Sequence, residues 1–245
     1  MISGMVIRYG IFLAVLSLFA FACKEEKPPE LKKVQPPVVS FNQKHPVLTN
    51  EQRAELNFPA DILSQVELAA GAEAEPFFET VVVPAENLKG ETSVERERLA
   101  GFSVRTKRSV ETVDALSGKL RARGFLIFRS RRNYGNVPDR VAVVKGNSSY
   151  DILKRQKTES INFNLDTKAI IAWLKEQQQT QGSFVIVGAG PDWVEARFVK
   201  QPQNMLAFAK KIYAFAPDTV SVEAGTLDKL AKKMTRTNRF FLVWD

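Results

Sequence analysis

The chain contains one cysteine and one histidine, Cys23 and His45, and both precede residue 50. Whatever folds downstream has no disulfide to staple it and must hold together by apolar packing. The same two absences narrow the chemistry. A Ser-His-Asp or Cys-His arrangement is excluded after residue 50, as is a zinc site of the usual His/Cys type. Catalysis there is restricted to carboxylates, Lys, Tyr or Ser, and a metal to a hard, oxygen-liking cation. No catalytic residue, resident metal or cofactor is assigned.

The N-terminus divides cleanly. Arg8 precedes the run Ile11–Ala22, IFLAVLSLFAFA. Twelve residues make about 18 Å of helix, short of the about 30 Å of a bilayer core. A basic start, a short apolar stretch and a small residue before Cys23 describe a signal peptide over residues 1–22. Lys24 to Asn50 then carries Pro28, Pro29, Pro36, Pro37 and Pro46 among Lys, Glu and Gln. Such a composition favours extended conformations and buries little, so 23–50 reads as the cysteine plus a tether. Fully extended, it would reach on the order of 80 Å. Residues 51–245 are long enough for one domain with its own core.

Ala20-Phe21-Ala22-Cys23 resembles the lipobox of bacterial lipoproteins, in the relaxed form of Bacteroidota-type bacteria, with Ala20 where leucine is usual. The resemblance implies that Cys23 is the lipidation site, carrying palmitate and anchoring the chain to a membrane of the cell envelope. Lys24-Glu25-Glu26 is similar to a surface-export signal, which adds an outer-membrane address and display at the surface. The alternative is a soluble exported protein with one free thiol.

Beyond Glu51 the pattern is mixed. Glu51–Leu68 reads as a helical opening interrupted by Pro59 and ended by Gly71. Phe77–Pro84 is a strand, Asn87–Arg98 a polar loop and Phe102–Thr106 a second strand. Ser109 is placed to cap a helix whose Val110, Val113, Leu116 and Leu120 recur at helical spacing up to Gly124. Strands are expected at Phe125–Arg131 and Val141–Lys145, with helices near Ser149–Lys154 and after Asp166 or Thr167. The segments Phe184–Val187 and Trp193–Val199 form a hairpin. Helices follow over Gln203–Phe215 and Leu227–Thr235, and a buried strand, Phe240–Trp244, closes the chain. Hairpins and helical crossovers together predict an α+β domain with packed helices around a mixed sheet of about five to seven strands. Gly188-Ala189-Gly190 is not a dinucleotide loop. Trp193 stands where a third glycine is required, and a period-two run follows instead of a helix.

The net charge of +8 is concentrated: between Arg105 and Lys145 eleven basic residues face only Glu111, Asp114 and Asp139. Lys119, Arg121 and Arg123 at a helix end and Arg129, Arg131 and Arg132 on the next strand are candidates for one positive patch, joined by Gly124. Its partner would be an anionic polymer or lipid. Nucleic acid is not expected, because no recognised binding motif accompanies the charge.

The C-terminal half carries a family resemblance. Phe208-Ala209, Ile212-Tyr213, Phe215-Ala216-Pro217-Asp218, Gly225-Thr226, Leu230-Ala231 and Leu242-Val243-Trp244-Asp245 occur in an order similar to a bacterial family, domain of unknown function 4253. Tyr150-Asp151-Ile152-Leu153 and Asp192-Trp193-Val194-Glu195 resemble it too, over about Phe77 to Asp245 and most strongly after Val141. Ala216 replaces a cysteine common in that family, and Val243 a second tryptophan. The resemblance implies a shared α+β fold and conveys no activity. Asp151, Asp192, Glu195, Asp218 and Asp245 lie in these segments, and their convergence in one cleft would make a carboxylate enzyme or a divalent-cation site. The leading expectation is a non-enzymatic binding or interaction module held at the envelope by its lipid, with an envelope protein or anionic polymer as partner.

Overall fold

The computed structural model describes residues 46–84, 93–135 and 137–245. The signal peptide, Cys23, His45 and nearly all of the tether lie outside the described residues. The fold begins before Glu51, the boundary expected from composition. Leu48 is buried and its N–H bonds to the Ala74 carbonyl, while Thr49 and Gln52 form a reciprocal capping box. That box starts α1 (Asn50–Leu56), and Asn57, left-handed at φ 48°, ends it. Pro59 sets up α2 (Ala60–Ala70), which Gly71 terminates at φ 65°.

Seven strands form one sheet in the order β1-β2-β4-β3-β5-β6-β7. They are β1 (Glu75–Pro84), β2 (Ser93–Thr106), β3 (Phe125–Arg131), β4 (Asp139–Lys145), β5 (Phe184–Ala189), β6 (Trp193–Phe198) and β7 (Arg239–Val243). Every adjacent pair is antiparallel except β3 and β5. That parallel contact joins a hairpin-built half to a second one, and the crossover between them contains β4 and two helices. The architecture is α+β with a mixed sheet.

Helices cover both faces. Alternation along β3 and β4 sends Phe125, Ile127, Val141 and Val143 to a core under α1, α2 and α3 (Ser109–Arg121). Leu126, Phe128, Ala142 and Val144 go to the opposite core. That second core also receives α4 (Asp151–Gln156), α5 (Thr167–Thr180), α6 (Met205–Phe215), α7 (Asp218–Glu223) and α8 (Leu227–Thr237). Successive side chains point to opposite faces, so the continuous apolar runs Phe125–Phe128 and Val141–Val144 serve two apolar cores at once.

Three local readings need correction. Ser93–Arg98, expected as loop, is the first half of β2 and pairs with Glu79–Pro84. Its mostly charged residues are solvent-exposed in a two-stranded ribbon, so no apolar period marks it as a strand. Ser109 does not cap α3; it is buried as the first helical residue, and its hydroxyl donates to Asp139 at 2.7 Å. α7 was not expected, because Thr219, Val220 and Val222 disfavour a helix. Tertiary contact holds it: Thr219 is buried and its hydroxyl accepts the Val243 N–H at 2.9 Å.

Candidate functional site

The β1-β2 hairpin reaches past the rest of the sheet. β4 pairs with β2 only over Gly101–Thr106, leaving Ser93–Leu99 and its β1 partners as a free-standing ribbon. A bulge between Phe77 and Phe78 and the close approach at Gly101 set its direction. A Cβ at Gly101 would stand 2.0 Å from the Val143 carbonyl oxygen, so only glycine lets the two strands meet there. The ribbon is tied to α4 by ion pairs from Arg155 to Glu79 and from Lys157 to Glu95.

A second bulge, in β3 between Arg129 and Arg131, sets the chemistry. Regular alternation would put both arginines on one face. The extra residue re-aims Arg131 opposite Arg140, onto the face of α4, while Arg129 stays on the face of α3. The result is a cleft of about 290 Å³ between β1, the ends of β3 and β4, and the end of α4. Arg131, Arg140, Arg155 and Lys157 line it, with Phe77, Phe78, Ser130 and Pro191, and Glu79 is the acid among its lining residues.

The fixed members of the cleft are held from behind. Arg140 donates to the Ser103 hydroxyl at 2.9 Å and to the Pro76 carbonyl at 3.1 Å, with Glu75 at 3.7 Å. Burial pushes the Arg140 pKa down, Glu75 opposes this, and Arg105 and Arg131 add to the fall. Its guanidinium stays charged at neutral pH regardless. Glu79 is buried, which alone would raise its pKa. Hydrogen bonds from Arg98 and Arg155 outweigh that and hold it below the ordinary carboxylate range. Glu79 is therefore held as an anion at neutral pH. Arg131 is exposed and has no ion-pair partner among the described residues. The cleft presents a positive surface with a hydrogen-bonded floor and one exposed, unpaired cation, Arg131, among the described residues.

Most of the charged residues singled out from the sequence lie elsewhere. Arg129 is buried under α3 and binds Glu195 through Nε at 3.0 Å and Asp139 through Nη1 at 3.2 Å. Glu195, 1 % exposed, also accepts from Arg239 at 2.7 Å, and Arg239 continues to Asp114 of α3 at 2.6 Å. Arg132 pairs with Glu223 and lies 4.4 Å from the ring centres of both Tyr134 and Phe241. Arg123 pairs with Asp61, and Lys119 points to solvent. Arg121 is half-buried beside Arg197, and burial and that neighbour lower its pKa. These six residues do not share one surface, and only Arg131 reaches the cleft.

The acids do not converge either. Asp151 bonds Lys154 at 3.0 Å, Asp192 sits in the exposed β5-β6 turn, and Asp218 accepts the Asp245 N–H at 3.0 Å. Glu195 is enclosed by arginines. Among the described residues no group of three or more His, Cys, Asp or Glu is placed to hold a metal ion. The Gly188–Gly190 turn owes its glycines to Trp193, whose Nε1 would lie 2.2 Å from a Cβ at Gly190. Arg140, Arg155 and Lys157 were not singled out beforehand. No local motif marks them, since they meet only through the two bulges and the position of α4.

Residues 140–245 match the family described as Domain of unknown function (DUF4253). This segment supplies β4 to β7 and the helices α4 to α8, the part in which the sequence resemblance is strongest. β1, β2 and β3 lie outside the match, so the cleft joins Arg140, Arg155 and Lys157 of the DUF4253 segment to residues N-terminal to it. No curated protein and no solved structure matches the chain.

Proposed function

We propose that the protein is a lipid-anchored component of a bacterial envelope whose folded part is a non-enzymatic recognition module. Its ligand is a small anionic group, a carboxylate or phosphate, bound in the cleft between β1, β3-β4 and α4. The observation that carries this reading is the lining: Arg131, Arg140, Arg155 and Lys157 stand around about 290 Å³, Arg131 has no ion-pair partner among the described residues, and Glu79, the acid there, is neutralised by Arg98 and Arg155. Guanidinium forks suit carboxylate and phosphate oxygens. Phe78, 44 % exposed at the rim, adds an apolar contact for the scaffold that bears the anion.

Titration calorimetry with inorganic phosphate, sulfate and glucuronate tests the cleft. Binding of at least one is expected, weakened at least tenfold in Arg131→Gln/Lys157→Gln and falling as salt rises. Both side chains are partly or fully exposed, so the folded state should survive the change. Absence of binding by the wild type to all three overturns the reading.

The anchor rests on the sequence, where Cys23 follows an apolar run too short to span a bilayer. A lipid there, with the tether, would hold the module at the outer membrane and leave it free to meet partners at the surface. Cys23→Ala is expected to move the protein from the membrane to the soluble fraction of cells fractionated with a high-salt wash, which strips electrostatic contacts and leaves a lipid anchor in place. Equal membrane association of the two forms would show that Cys23 carries no anchor.

A further inference from the structure

The two helical layers carry opposite charge. α1, α2 and α3 contain six acids, Glu51, Glu55, Asp61, Glu67, Glu111 and Asp114, against Arg53, Lys119 and Arg121. On the other face of the sheet, α6 and α8 contain Lys210, Lys211, Lys229, Lys232, Lys233 and Arg236 against Asp228 alone. Lys233 is committed to Glu223 at 2.7 Å. The other five have no ion-pair partner among the described residues. By contrast, Arg105, Arg123, Arg129, Arg132 and Arg140, in the stretch that holds the formal charge excess, are all paired. Folding therefore neutralises five of the eleven cations of that stretch and leaves the other six, Lys107, Arg108, Lys119, Arg121, Arg131 and Lys145, without an ion-pair partner among the described residues.

Four of the five cations, Lys210, Lys229, Lys232 and Arg236, share a surface. α6 buries Phe208, Ala209 and Ile212, and α8 buries Leu230, Ala231 and Met234, all into the same core on the same face of the sheet. The helices contact each other, so their outward stripes adjoin. On α6 that stripe is Leu206, Lys210, Tyr213 and Ala214; on α8 it is Lys229, Lys232 and Arg236. Lys211, half-buried, stands across a shallow groove from Glu176 of α5.

We propose that the outer face of α6 and α8 docks on an anionic lipid surface. Two adjoining helix stripes make an extended face, complementary in charge to headgroups spread over a plane. Lysine stems lie along apolar contact while their ammonium groups meet phosphates. Leu206 and Tyr213, 37 % and 51 % exposed between the lysines, supply an aliphatic and an amphipathic ring for the interfacial zone. This docking is independent of the anion cleft and needs no lipid on Cys23.

Co-sedimentation of the full chain carrying Cys23→Ala, with phosphatidylglycerol/phosphatidylcholine vesicles and with phosphatidylcholine alone, tests it. Binding that depends on phosphatidylglycerol is expected. It should weaken roughly twenty-fold in Lys210→Gln/Lys232→Gln, at about one headgroup interaction lost per lysine. It should hardly change in Lys107→Gln/Lys119→Gln, which removes the same charge from other parts of the surface. Equal losses in the two pairs would mean that net charge alone drives binding, and would overturn the proposal. So would vesicle binding unaffected by Lys210→Gln/Lys232→Gln while dextran sulfate binding falls, which would assign the face to a polymer. Arg131→Gln/Lys157→Gln should leave vesicle binding intact, so failure of the cleft and failure of the lipid face are read separately.

Discussion

Glu195→Ala is expected to lower the stability of the folded part by about 3–5 kcal/mol, measured by urea unfolding. Glu195 is 1 % exposed and accepts from Arg129 on one oxygen and Arg239 on the other. Both arginines are themselves buried at 7 % exposure. Removing the carboxylate leaves two guanidiniums out of water, held by Asp139 and Asp114 at the margin of the network. The cost is the desolvation of those charges, which Asp139 and Asp114 offset only in part. Asp114→Asn serves as the control. Its side chain is 39 % exposed, so solvent screens it and the loss should stay within about 1 kcal/mol. A loss for Glu195→Ala as small as that of the control would show that water reaches the network.

The second large effect is expected at the C-terminus. Trp244→Ala should lower stability by about 3–5 kcal/mol, with a marked drop in melting temperature. Trp244 is 3 % exposed and meets Phe215 edge-on at 5.7 Å, and its Nε1 donates to the Phe215 carbonyl at 3.2 Å. Phe215 in turn stacks on Trp173 at 4.4 Å, so the cavity would open between α5, α6 and the end of β7. Trp244→Phe keeps most of the ring but loses the hydrogen bond, and should fall between wild type and Trp244→Ala. A Trp244→Ala protein that melts like wild type would place the indole in a binding surface instead of the core.

The network around Glu195 explains why the positive stretch looked functional from composition. Like-charged neighbours in the sequence are separated by folding: Arg129 turns to α3, Arg131 to α4 and Arg132 to the aromatic pair Tyr134 and Phe241. Each then meets a different environment. Acids distant in sequence neutralise Arg129 and Arg132, Glu195 being 66 residues and Glu223 91 residues away. Composition cannot register such pairings, because they depend on which strands become neighbours in the sheet.

Much of the element order was nonetheless legible. β3 was bounded correctly because the apolar run Phe125–Phe128 follows Gly124 and ends in Arg129-Ser130-Arg131. α5 was found because Asp166 caps it, accepting from the Ala169 N–H at 2.7 Å, and because Ile170 and Leu174 repeat at helical spacing. The DUF4253 match was legible for a similar reason, since its spaced aromatics and acids survive as a linear pattern. These signals share a short range: a cap, a period or a turn is decided within about one or two turns of chain. Where only long-range contacts decide, the reading failed. Ser93–Arg98 becomes a strand through β1, and Asp218–Glu223 becomes a helix through β7.

The sequence by itself determined the α+β class, most of the elements, and the exclusion of thiol and imidazole chemistry after residue 50, because these depend on residue type and local periodicity. The tertiary structure alone decided where charge is accessible. Two bulges, at Phe77/Phe78 and Arg129/Arg131, together with the approach of α4, assemble the cleft from Arg131, Arg140, Arg155 and Lys157. The packing of α6 against α8 on one core gathers Lys210, Lys229, Lys232 and Arg236 on one face. A bulge reverses the side of a strand on which a residue lies, and an ion pair cancels a charge through space, so neither outcome is written in the order of the residues.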